Sequence, residues 1–420
     1  MTSKIKKTAL VLSGINPHCE LIRQLQSRQY YVILIDLADN TPAKKYADEH
    51  IKLNIFDKEK ILQVAKERNA SLVISVAAER ANAISCYVLE KLGLYCPYSY
   101  DTAMKISEKS SMKEVMKDND ISTADFTLIN SLDSIETNNL RFPIVVKPLD
   151  GYGSKGVRRV NNQADLKEAV EKALIISKNS NILLEEFIVG REMSVDCFFD
   201  NEKAHILLVR QKQNLRDNHE ELQSYGSISP ADISSNLMDK IQKIADGIMS
   251  AFKLRNTPLL IQIIATEKDA FVLEFSPRLG GGLCFRTVTL HTDFDYIASA
   301  INSFLGINQD VITTKKDVYY SIHNIYARKG AFQRVEGSDK LIKEGILKEL
   351  YLNRPEGFIV GSDFSSSSRV GQFIVEGKSR NEIYDKIKTT FENLEVYDTN
   401  NIPILLKDFY LKKDIVIGDD

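Results

Sequence analysis

Short apolar runs alternate with amphipathic segments over the first hundred residues. Runs at residues 8–13 and 31–35 flank a segment in which Leu21, Ile22 and Leu25 recur at helical spacing, and this predicts a β-α-β unit. The alternation continues with a helix, a strand and a helix at residues 61–68, 72–75 and 81–92. Strands that alternate with helices form a parallel sheet with helices on its faces, so we expect an α/β domain over residues 1–100.

The pattern changes after residue 100 to one that predicts two facing α+β lobes. For a small lobe at 101–190 we expect helices at 108–117 and 164–176, and strands at 142–146, 157–160 and 182–188. For a larger antiparallel lobe at 191–310 we expect strands at 194–199, 205–209, 259–264 and 270–275, and a helix at 238–252.

The last part of the chain, residues 311–420, predicts an α+β extension packed on the large lobe. Strands are expected near 319–325 and 370–375. A helix is expected at 380–394, because Ile383, Ile387 and Phe391 fall on one of its faces.

The amino-acid composition argues against several classes of function. With 55 Lys and Arg against 57 Asp and Glu, the net charge is −2, so no general basic field attracts nucleic acid or an anionic membrane. The five cysteines are widely spaced without a Cys-x-x-Cys pair, which is typical of reduced thiols. No apolar run approaches the length needed to span a bilayer. We therefore expect a cytoplasmic protein with neither a nucleic-acid nor a membrane partner.

The most distinctive local feature is a strand that ends in Lys147 and is followed by a glycine-rich turn. Gly151, Gly153, Ser154 and Gly156 let backbone N–H groups approach phosphate oxygens, while Lys147 supplies a point charge. This predicts a phosphate-covering flap. Taken alone, the segment is equally compatible with a plain β-hairpin that has a flexible tip.

An apolar strand that runs into acidic residues follows at 184–192. Glu185, Glu186 and Glu192 could hold an adenine amino group and ribose hydroxyls, and the backbone of Phe187 and Ile188 could contact the purine edge. The same segment could also be an ordinary strand leaving the core.

A third segment predicts a metal site. In two adjacent antiparallel strands, Gln262 and Glu274 would project from the same face, and oxygen ligands on neighbouring strands suit Mg²⁺ that also binds nucleotide phosphates. Arg278 follows Glu274 by four residues, and its guanidinium could bind a phosphoryl group or a carboxylate in bidentate fashion.

In this order and spacing, the three segments resemble the ATP-grasp superfamily over roughly residues 8–395. The resemblance implies an ATP-grasp fold: an N-terminal parallel-sheet α/β domain, a two-lobed ATP-binding region and a C-terminal α+β extension. It implies that Lys109 and Lys147 contact ATP phosphates, that residues 151–156 form the flap, and that Glu185, Glu186, Phe187, Ile188 and Glu192 surround the nucleoside. ATP and Mg²⁺, with Mn²⁺ as an alternative metal, are the expected cofactors.

The resemblance also assigns the remaining site residues. Glu274 and Gln262 would bind metal, and Ser276 stands where the family commonly has asparagine, which replaces an amide ligand by a hydroxyl. Arg210 and Lys212 fall where relatives place a further cation near the γ-phosphate, although a solvated basic strand end is an equal alternative.

Residues 280–282 and 369–377 resemble L-amino acid ligases and the formate-using purine transformylase. In those relatives the arginine, here Arg278, and the glycine turn hold the carboxylate or acyl phosphate. The implied activity is a ligase that activates a small-molecule carboxylate as an acyl phosphate and couples it to an amine, with a homodimer as an open option. A bicarbonate-dependent carboxylase and a nucleotide-binding protein without catalysis are the alternatives.

A dinucleotide-binding N-terminal domain is a further alternative, because a strand, Gly14, a helix and an acid at the second strand's end occur in that order. Residues 13–18 lack the three spaced glycines of that motif, so a structural α/β domain is preferred.

Overall fold

The structure is a computed structural model that describes residues 6–132, 135, 140–149, 156–177, 181–214, 224–361 and 368–407. Its N-terminal elements are β1 Lys7–Leu12, α1 Asn16–Ser27, β2 Tyr30–Ile35, β3 Glu49–Ile51, α2 Lys58–Glu67, β4 Ala70–Ile74 and α3 Glu79–Lys91. The strands pair in parallel in the order β3-β2-β1-β4. The predicted parallel sheet is confirmed.

The central strands of this sheet are buried on both faces. Residues 9–12 and 32–35 are at most 1% exposed, as expected for strands covered by helices above and below. β3 was not predicted, because Glu49, His50 and Ile51 form no apolar run. The strand expected third along the chain is therefore the fourth.

The small lobe follows two helices that connect it to the N-terminal domain. The elements are α4 Tyr100–Ser107, α5 Lys109–Asp118, β5 Phe126–Ile129, β6 Ile144–Pro148, β7 Arg158–Val160, α6 Gln163–Ile176 and β8 Ile182–Glu186. The four strands form an antiparallel sheet in the order β5-β8-β6-β7, and apolar residues of α6 pack on one face of it.

The large lobe is built on long antiparallel strands. Its elements are β9 Arg191–Phe199, β10 Ala204–Asn214, β11 Ser224–Ser229, α7 Ser235–Ala251, β12 Thr257–Ala265, β13 Ala270–Ser276, α8 Cys284–Thr292 and α9 Tyr296–Phe304. Val195, Val209, Ile261 and Phe275 point into a core with α7. The alternate residues of these strands therefore point to the opposite face, where the candidate site lies.

The C-terminal elements are β14 Tyr319–Tyr326, β15 Gly330–Glu336, α10 Ser338–Lys343, β16 Glu349–Leu352, β17 Ile359–Val360, β18 Arg369–Gly377, α11 Arg380–Asn393 and β19 Glu395–Asp398. β14, β16 and β18 join the large lobe in one eight-stranded sheet of order β13-β12-β9-β10-β11-β14-β18-β16. This sheet therefore continues across the domain boundary that we expected at residue 310. The extension, which we expected to pack on the large lobe, pairs edge to edge with it through β11 and β14.

The N-terminal domain shares its core with the large lobe. Leu279, Phe285 and Tyr296 belong to the same apolar cluster as the N-terminal sheet, and the Leu279 N–H donates to the Val76 carbonyl oxygen over 3.0 Å. This packing brings the first turn of α3 close to the loop that follows β13.

Candidate active site

Two lysines share one buried carboxylate on the inner face of the small lobe. The Glu185 carboxylate forms ion pairs with the ammonium groups of Lys113 and Lys147, which come from α5 and β6. Glu185 and Lys113 are each 1% exposed, whereas the Lys147 side chain is 19% exposed. Lys147 is therefore the member of the trio that a ligand can reach.

Electrostatics keep this carboxylate ionised. Burial opposes ionisation of Glu185, yet Lys147 and Lys113 lower its pKa from the usual 4.5 to about 2. Burial also lowers the pKa of Lys113, which the charge of Glu185 partly offsets. Lys113 donates a further hydrogen bond of 2.7 Å to Thr123 Oγ1. Two cations around one anion leave a positive surplus, which suits a phosphate chain.

Lys113 is a candidate residue that the sequence interpretation missed. The predicted Lys109 begins α5, and Lys113 follows it by one helical turn, beside the buried Met112. A lysine next to a buried methionine in an amphipathic helix was the available signal, because a buried lysine needs a partner.

The end of β8 and the residues that follow it make contacts that were not predicted. The Glu185 carboxylate, expected at the adenine amino group, instead lies between the two lysines. Glu186 accepts hydrogen bonds from the Arg141 N–H over 2.7 Å and from its guanidinium. The Phe187 N–H donates to the Pro143 carbonyl over 2.8 Å. The Ile188 backbone lies in the same non-helical stretch, and its purine contact stays a prediction.

A row of polar side chains crosses four adjacent strands of the large sheet. The Lys212 ammonium contacts the Glu192 carboxylate and donates to Gln262 Oε1 over 2.5 Å. Gln262 Nε2 donates to Glu274 Oε1 over 2.6 Å. The predicted projection of Gln262 and Glu274 from one face is confirmed, since they are direct cross-strand partners.

A magnesium ion suits the Glu274 end of this row. No group of three or more His, Cys, Asp or Glu residues gathers for a metal within the described ranges, so a candidate site must rely on one carboxylate and neutral oxygens. Ser276 lies two residues beyond Glu274 on β13. Its hydroxyl oxygen is buried and has no hydrogen-bond partner among the described residues. The free Ser276 oxygen and Glu274 fit a hard cation that also takes phosphate oxygens.

Gln262 is a less direct candidate for a metal ligand, because its amide oxygen already accepts a hydrogen bond from Lys212. Using that oxygen as a metal ligand requires Lys212 to turn away, for example toward a phosphate. Gln262 as a metal ligand therefore stays a prediction.

Arg210 lies beneath the glycine turn. Its side chain is 5% exposed and pairs with Asp196 over 2.7 Å in the middle of β10, so the alternative of a solvated strand end is wrong for this residue. A Cβ atom at Gly280 would lie 3.3 Å from Arg210 Nη2 and 2.9 Å from the sulfur of Cys284. The guanidinium therefore supports the turn from below, and Lys212, two residues further on, is the more exposed cation.

The N-terminal domain holds the turn formed by Ser276, Pro277 and Arg278. Asn82 Nδ2 and the Tyr98 hydroxyl donate to the Pro277 carbonyl over 3.1 and 3.0 Å. The Glu79 carboxylate lies 3.6 Å from an Arg278 guanidinium nitrogen. Glu79 and Asn82 were missed, because the sequence alone does not show that α3 reaches this turn.

The lysine trio of the small lobe lies beside β13 of the large sheet, because Thr123, which accepts from Lys113, donates through its hydroxyl to the Val272 carbonyl oxygen over 2.8 Å. Glu192 is half-buried, which disfavours its charge, but Lys212, Asn214 and, from the other lobe, Lys147 lower its pKa. Burial lowers the pKa of Lys113, and the charge of Glu274 acts in the opposite direction. The lysine end of the small lobe and the carboxylate end of the large sheet therefore lie within electrostatic reach of each other.

Most of the predicted flap, including Gly151, Gly153 and Ser154, lies outside the described residues. Gly156, at its far end, has φ +77°, and a Cβ atom there would lie 2.9 Å from Pro148 Cγ. Both observations favour glycine at this position.

The dinucleotide alternative finds no support at the N-terminal sheet. The Gly14 N–H donates to Asp36 Oδ2 over 2.8 Å, and Asp36 Oδ1 accepts from Ala38 over 2.9 Å, so the acid that would bind ribose is already engaged. A Cβ atom at Gly14 would lie 2.2 Å from Thr41 Oγ1. Thr41 therefore occupies the space beside the turn.

Comparison with known proteins finds a family match for one part of the chain. Residues 140–287 match the ATP-grasp domain family. The chain therefore contains an ATP-grasp domain, and the resemblance and fold class predicted from the sequence are confirmed.

Individual relatives are distant. A D-alanine–D-alanine ligase of Pediococcus pentosaceus is 28% identical over 171 residues, 40% of this chain and 48% of that protein. This chain thus matches about half the length of that relative. A formate-dependent phosphoribosylglycinamide formyltransferase of Prochlorococcus marinus is 25% identical over 290 residues, 65% of this chain and 70% of that protein.

The crystal structure of an L-amino acid ligase from Bacillus licheniformis superposes with a TM-score of 0.78 at 20% identity, over 95% of this chain and 100% of that one. This similarity establishes the fold, which many reactions share. Throughout the part of the chain that the structure describes, every helix is too short or too polar to cross a membrane.

Proposed function

We propose that the protein is an ATP-dependent ligase that activates a carboxylate as an acyl phosphate and couples it to an amine. One observation carries the proposal: an exposed lysine backed by a buried carboxylate faces, across one cleft, a polar row that ends in Glu274. This arrangement offers cationic and metal-binding groups on both sides of a phosphate chain.

Nucleotide binding divides between the two lobes. Lys147 and Lys109 bind phosphate oxygens from the small lobe, and Glu185 with Lys113 orients Lys147 from below. The backbone at Phe187 and Ile188 contacts the purine. Glu192 binds ribose hydroxyls and releases Lys212 toward the γ-phosphate when ATP enters.

Magnesium held by Glu274 and Ser276, and by Gln262 once Lys212 has turned away, would neutralise charge that develops on the transferring phosphoryl group. The substrates supply the reacting atoms, and side chains of this chain bind and orient them. Arg278 binds the substrate carboxylate, and Arg210 keeps the adjoining glycine turn in place.

The chemistry proceeds in two displacements. A carboxylate oxygen attacks the γ-phosphorus, the bond from that phosphorus to the β,γ-bridging oxygen breaks, and ADP leaves. The amine, in its neutral form, attacks the acyl carbon through its nitrogen, inorganic phosphate leaves with the bonding electrons, and the nitrogen gives up a proton to solvent as the amide forms. Water must be kept from the acyl phosphate, which it would hydrolyse.

The finer part of the proposal is that the amine is an amino acid, so that the product is a dipeptide or an amidated acid. The resemblance of residues 280–282 and 369–377 to L-amino acid ligases supports this choice over bicarbonate-dependent carboxylation, whereas the fold is shared by enzymes of both kinds.

A phosphate-release screen with MgATP tests the proposal, using amino acids and other small carboxylic acids singly and in pairs. We expect phosphate release that requires a carboxylate, and a coupled product when an amine is added. Including hydroxylamine should trap the acyl phosphate as a hydroxamate. ATP binding without carboxylate-dependent turnover across the panel would contradict the ligase and favour a binding protein.

A further inference from the structure

The glycine turn, residues 280–282, is held at both ends and open in the middle. A Cβ atom at Gly280 would lie 2.9 Å from the sulfur of Cys284 and 3.3 Å from Arg210 Nη2. Gly281 is exposed, and a Cβ atom there would meet no atom of the described residues within 4 Å. Gly281 is therefore the part of the turn that a ligand can reach.

The other end of the turn is held by Gln372, in β18 of the C-terminal extension. A Cβ atom at Gly282 would lie 2.6 Å from Gln372 Oε1 and 2.7 Å from Nε2, so the amide group lies directly against the backbone of the turn. Gly282 also has φ +63°, a conformation that other residues rarely adopt. The close contact and the backbone conformation therefore both favour glycine at this position.

The Gln372 amide is itself fixed by a partner on the neighbouring strand. Gln372 Nε2 donates to Asn324 Oδ1 over 2.8 Å, and the two residues are cross-strand partners on β18 and β14. Asn324 Nδ2 in turn donates to the Ser224 carbonyl oxygen over 2.9 Å. Both amides are buried. A short chain of buried hydrogen bonds therefore leads from β11 to the side chain that contacts Gly282, and such a chain restricts the orientation of that side chain.

The neighbouring pair on the same face of these two strands is apolar. Ile322 and Ile374 lie two residues from Asn324 and Gln372, pair with each other and belong to the core. Replacing both partners of a buried hydrogen bond by apolar groups of the same shape is nearly neutral for stability, so packing alone does not require amides here. The amide pair occurs where the strands reach the glycine turn, and it fixes an orientation that an apolar pair would leave free.

We infer that Gln372 is a positioning residue for the acid substrate: held by Asn324, it keeps the glycine turn in the conformation that receives the carboxylate. The inference rests on the proposed ligase function and adds to it a role for the C-terminal extension. Buried polar atoms of Ser276 and Arg278 are left for a ligand to satisfy, whereas the backbone of the turn that follows them is fixed by protein contacts.

The test measures hydroxamate formation in a Gln372→Met variant, using the carboxylate found by the screen and hydroxylamine as the nucleophile. Methionine keeps the length of the side chain and removes the hydrogen bond to Asn324. A less well fixed turn should lower kcat/KM for the carboxylate roughly tenfold, mainly through KM. The KM for MgATP should change by less than about twofold, because the lysine side of the cleft belongs to the other lobe.

Asn324→Ala removes the same hydrogen bond from the other strand, and it should raise the KM for the carboxylate in the same direction. Because both variants act through one contact, the double variant should lose no more than about twofold beyond Gln372→Met alone. Independent effects would instead multiply to roughly a hundredfold. Unchanged MgATP affinity would show that each variant is folded.

Gln333→Met is the matched control. Gln333 lies in β15, in the separate three-stranded sheet of the extension, and its Oε1 accepts from the neighbouring Arg334 over 2.6 Å. Both KM values of this variant should equal those of the parent protein.

Four outcomes overturn the inference in different ways. If kcat/KM for the carboxylate is unchanged in Gln372→Met, the amide does not position the turn. If the KM for MgATP rises in parallel with that for the carboxylate, the amide pair only stabilises the sheet. If the losses multiply in the double variant, the two side chains act separately. If the parent protein forms no hydroxamate with any carboxylate, the ligase function itself fails.

Discussion

The nucleotide side and the substrate side of the cleft are built on opposite principles. Around Glu185 the protein satisfies its own charges, since Lys113 and Lys147 share one buried carboxylate. Around the turn at residues 276–278, buried polar atoms of Ser276 and Arg278 have no partner within the described structure. The first region is preorganised before any ligand arrives, and the second is left to be completed by one.

The contrast has a physical basis. If the lysine side binds a triphosphate, as proposed, its ligand is the same in every turnover, so its cations can be fixed in place by buried pairing. On the proposed substrate side, polar groups without a protein partner gain free energy when a ligand satisfies them, so they favour binding. The predictions below test this difference.

The largest effect is expected at Glu274. Glu274→Gln keeps the contact with Gln262 but removes the carboxylate charge, and turnover should fall roughly a thousandfold, because metal-assisted charge stabilisation contributes several kcal/mol. Steady-state phosphate release at saturating MgATP measures it. Glu267→Gln, in the exposed turn after β12, should leave turnover unchanged. A fully active Glu274 variant would remove the metal site from the account.

Replacing Glu185 should lower the free energy of unfolding. Glu185→Gln leaves two cations facing each other, one of them buried, and we expect a loss of about 3 kcal/mol or more in the free energy of unfolding. Chemical denaturation measures this loss. Glu168→Gln, which breaks the surface ion pairs of this α6 residue with Lys172 and Arg158, should cost less than about 1 kcal/mol.

The lowered pKa of Glu185 predicts that the stability of the protein depends on pH. The folded pKa of Glu185 lies below its usual value, so its stabilisation is fully present above pH 4.5 and is lost as the pH falls toward about 2. The parent protein should therefore lose more stability across this range than Glu185→Gln does. Equal acid profiles for the two proteins would contradict the buried pairing.

Lys147→Met should act on the nucleotide rather than on the acid or amine. Removing the one lysine of the trio that a ligand can reach should lower kcat/KM for ATP roughly a hundredfold, with the amine KM little changed. Lys172→Met, an exposed lysine in α6 of the same lobe, is the control. A variant that loses amine affinity instead would reverse the assignment of the two sides.

The smallest effect is expected at Ser276. Ser276→Asn restores the amide common in the family, and turnover should change by less than about threefold, because the hydroxyl already offers an oxygen ligand. Steady-state ATP hydrolysis and ligation rates measure it. A gain of a hundredfold or more would indicate that the natural site is catalytically degenerate.

Much of the fold followed from the sequence, because apolar periodicity reports which face of an element is buried. The parallel β-α-β opening and the pairing of Gln262 with Glu274 were predicted for this reason. β3 was missed because three half-buried residues carry no periodic signal. The joining of β14 to the large sheet was missed because backbone pairing between strands far apart in sequence leaves no local pattern.

The candidate site was predicted where one strand or turn carries the residues, and it was incomplete where separate elements meet. Lys147 and Glu274 stand within recognisable segments. The role of Lys113 depends on how α5 packs against β8, and that of Glu79 on how α3 meets the turn after β13. Such contacts depend on tertiary packing, which spacing along the chain does not encode.

The fate of one oxygen atom tests the central claim most directly. When both carboxylate oxygens of the substrate are a heavy isotope, attack by either oxygen on the γ-phosphorus must transfer one labelled oxygen to the released phosphate. Mass spectrometry of the phosphate should therefore find one label for each product formed. Product that accumulates with unlabelled phosphate would show that no acyl phosphate forms, and the proposed chemistry would be wrong.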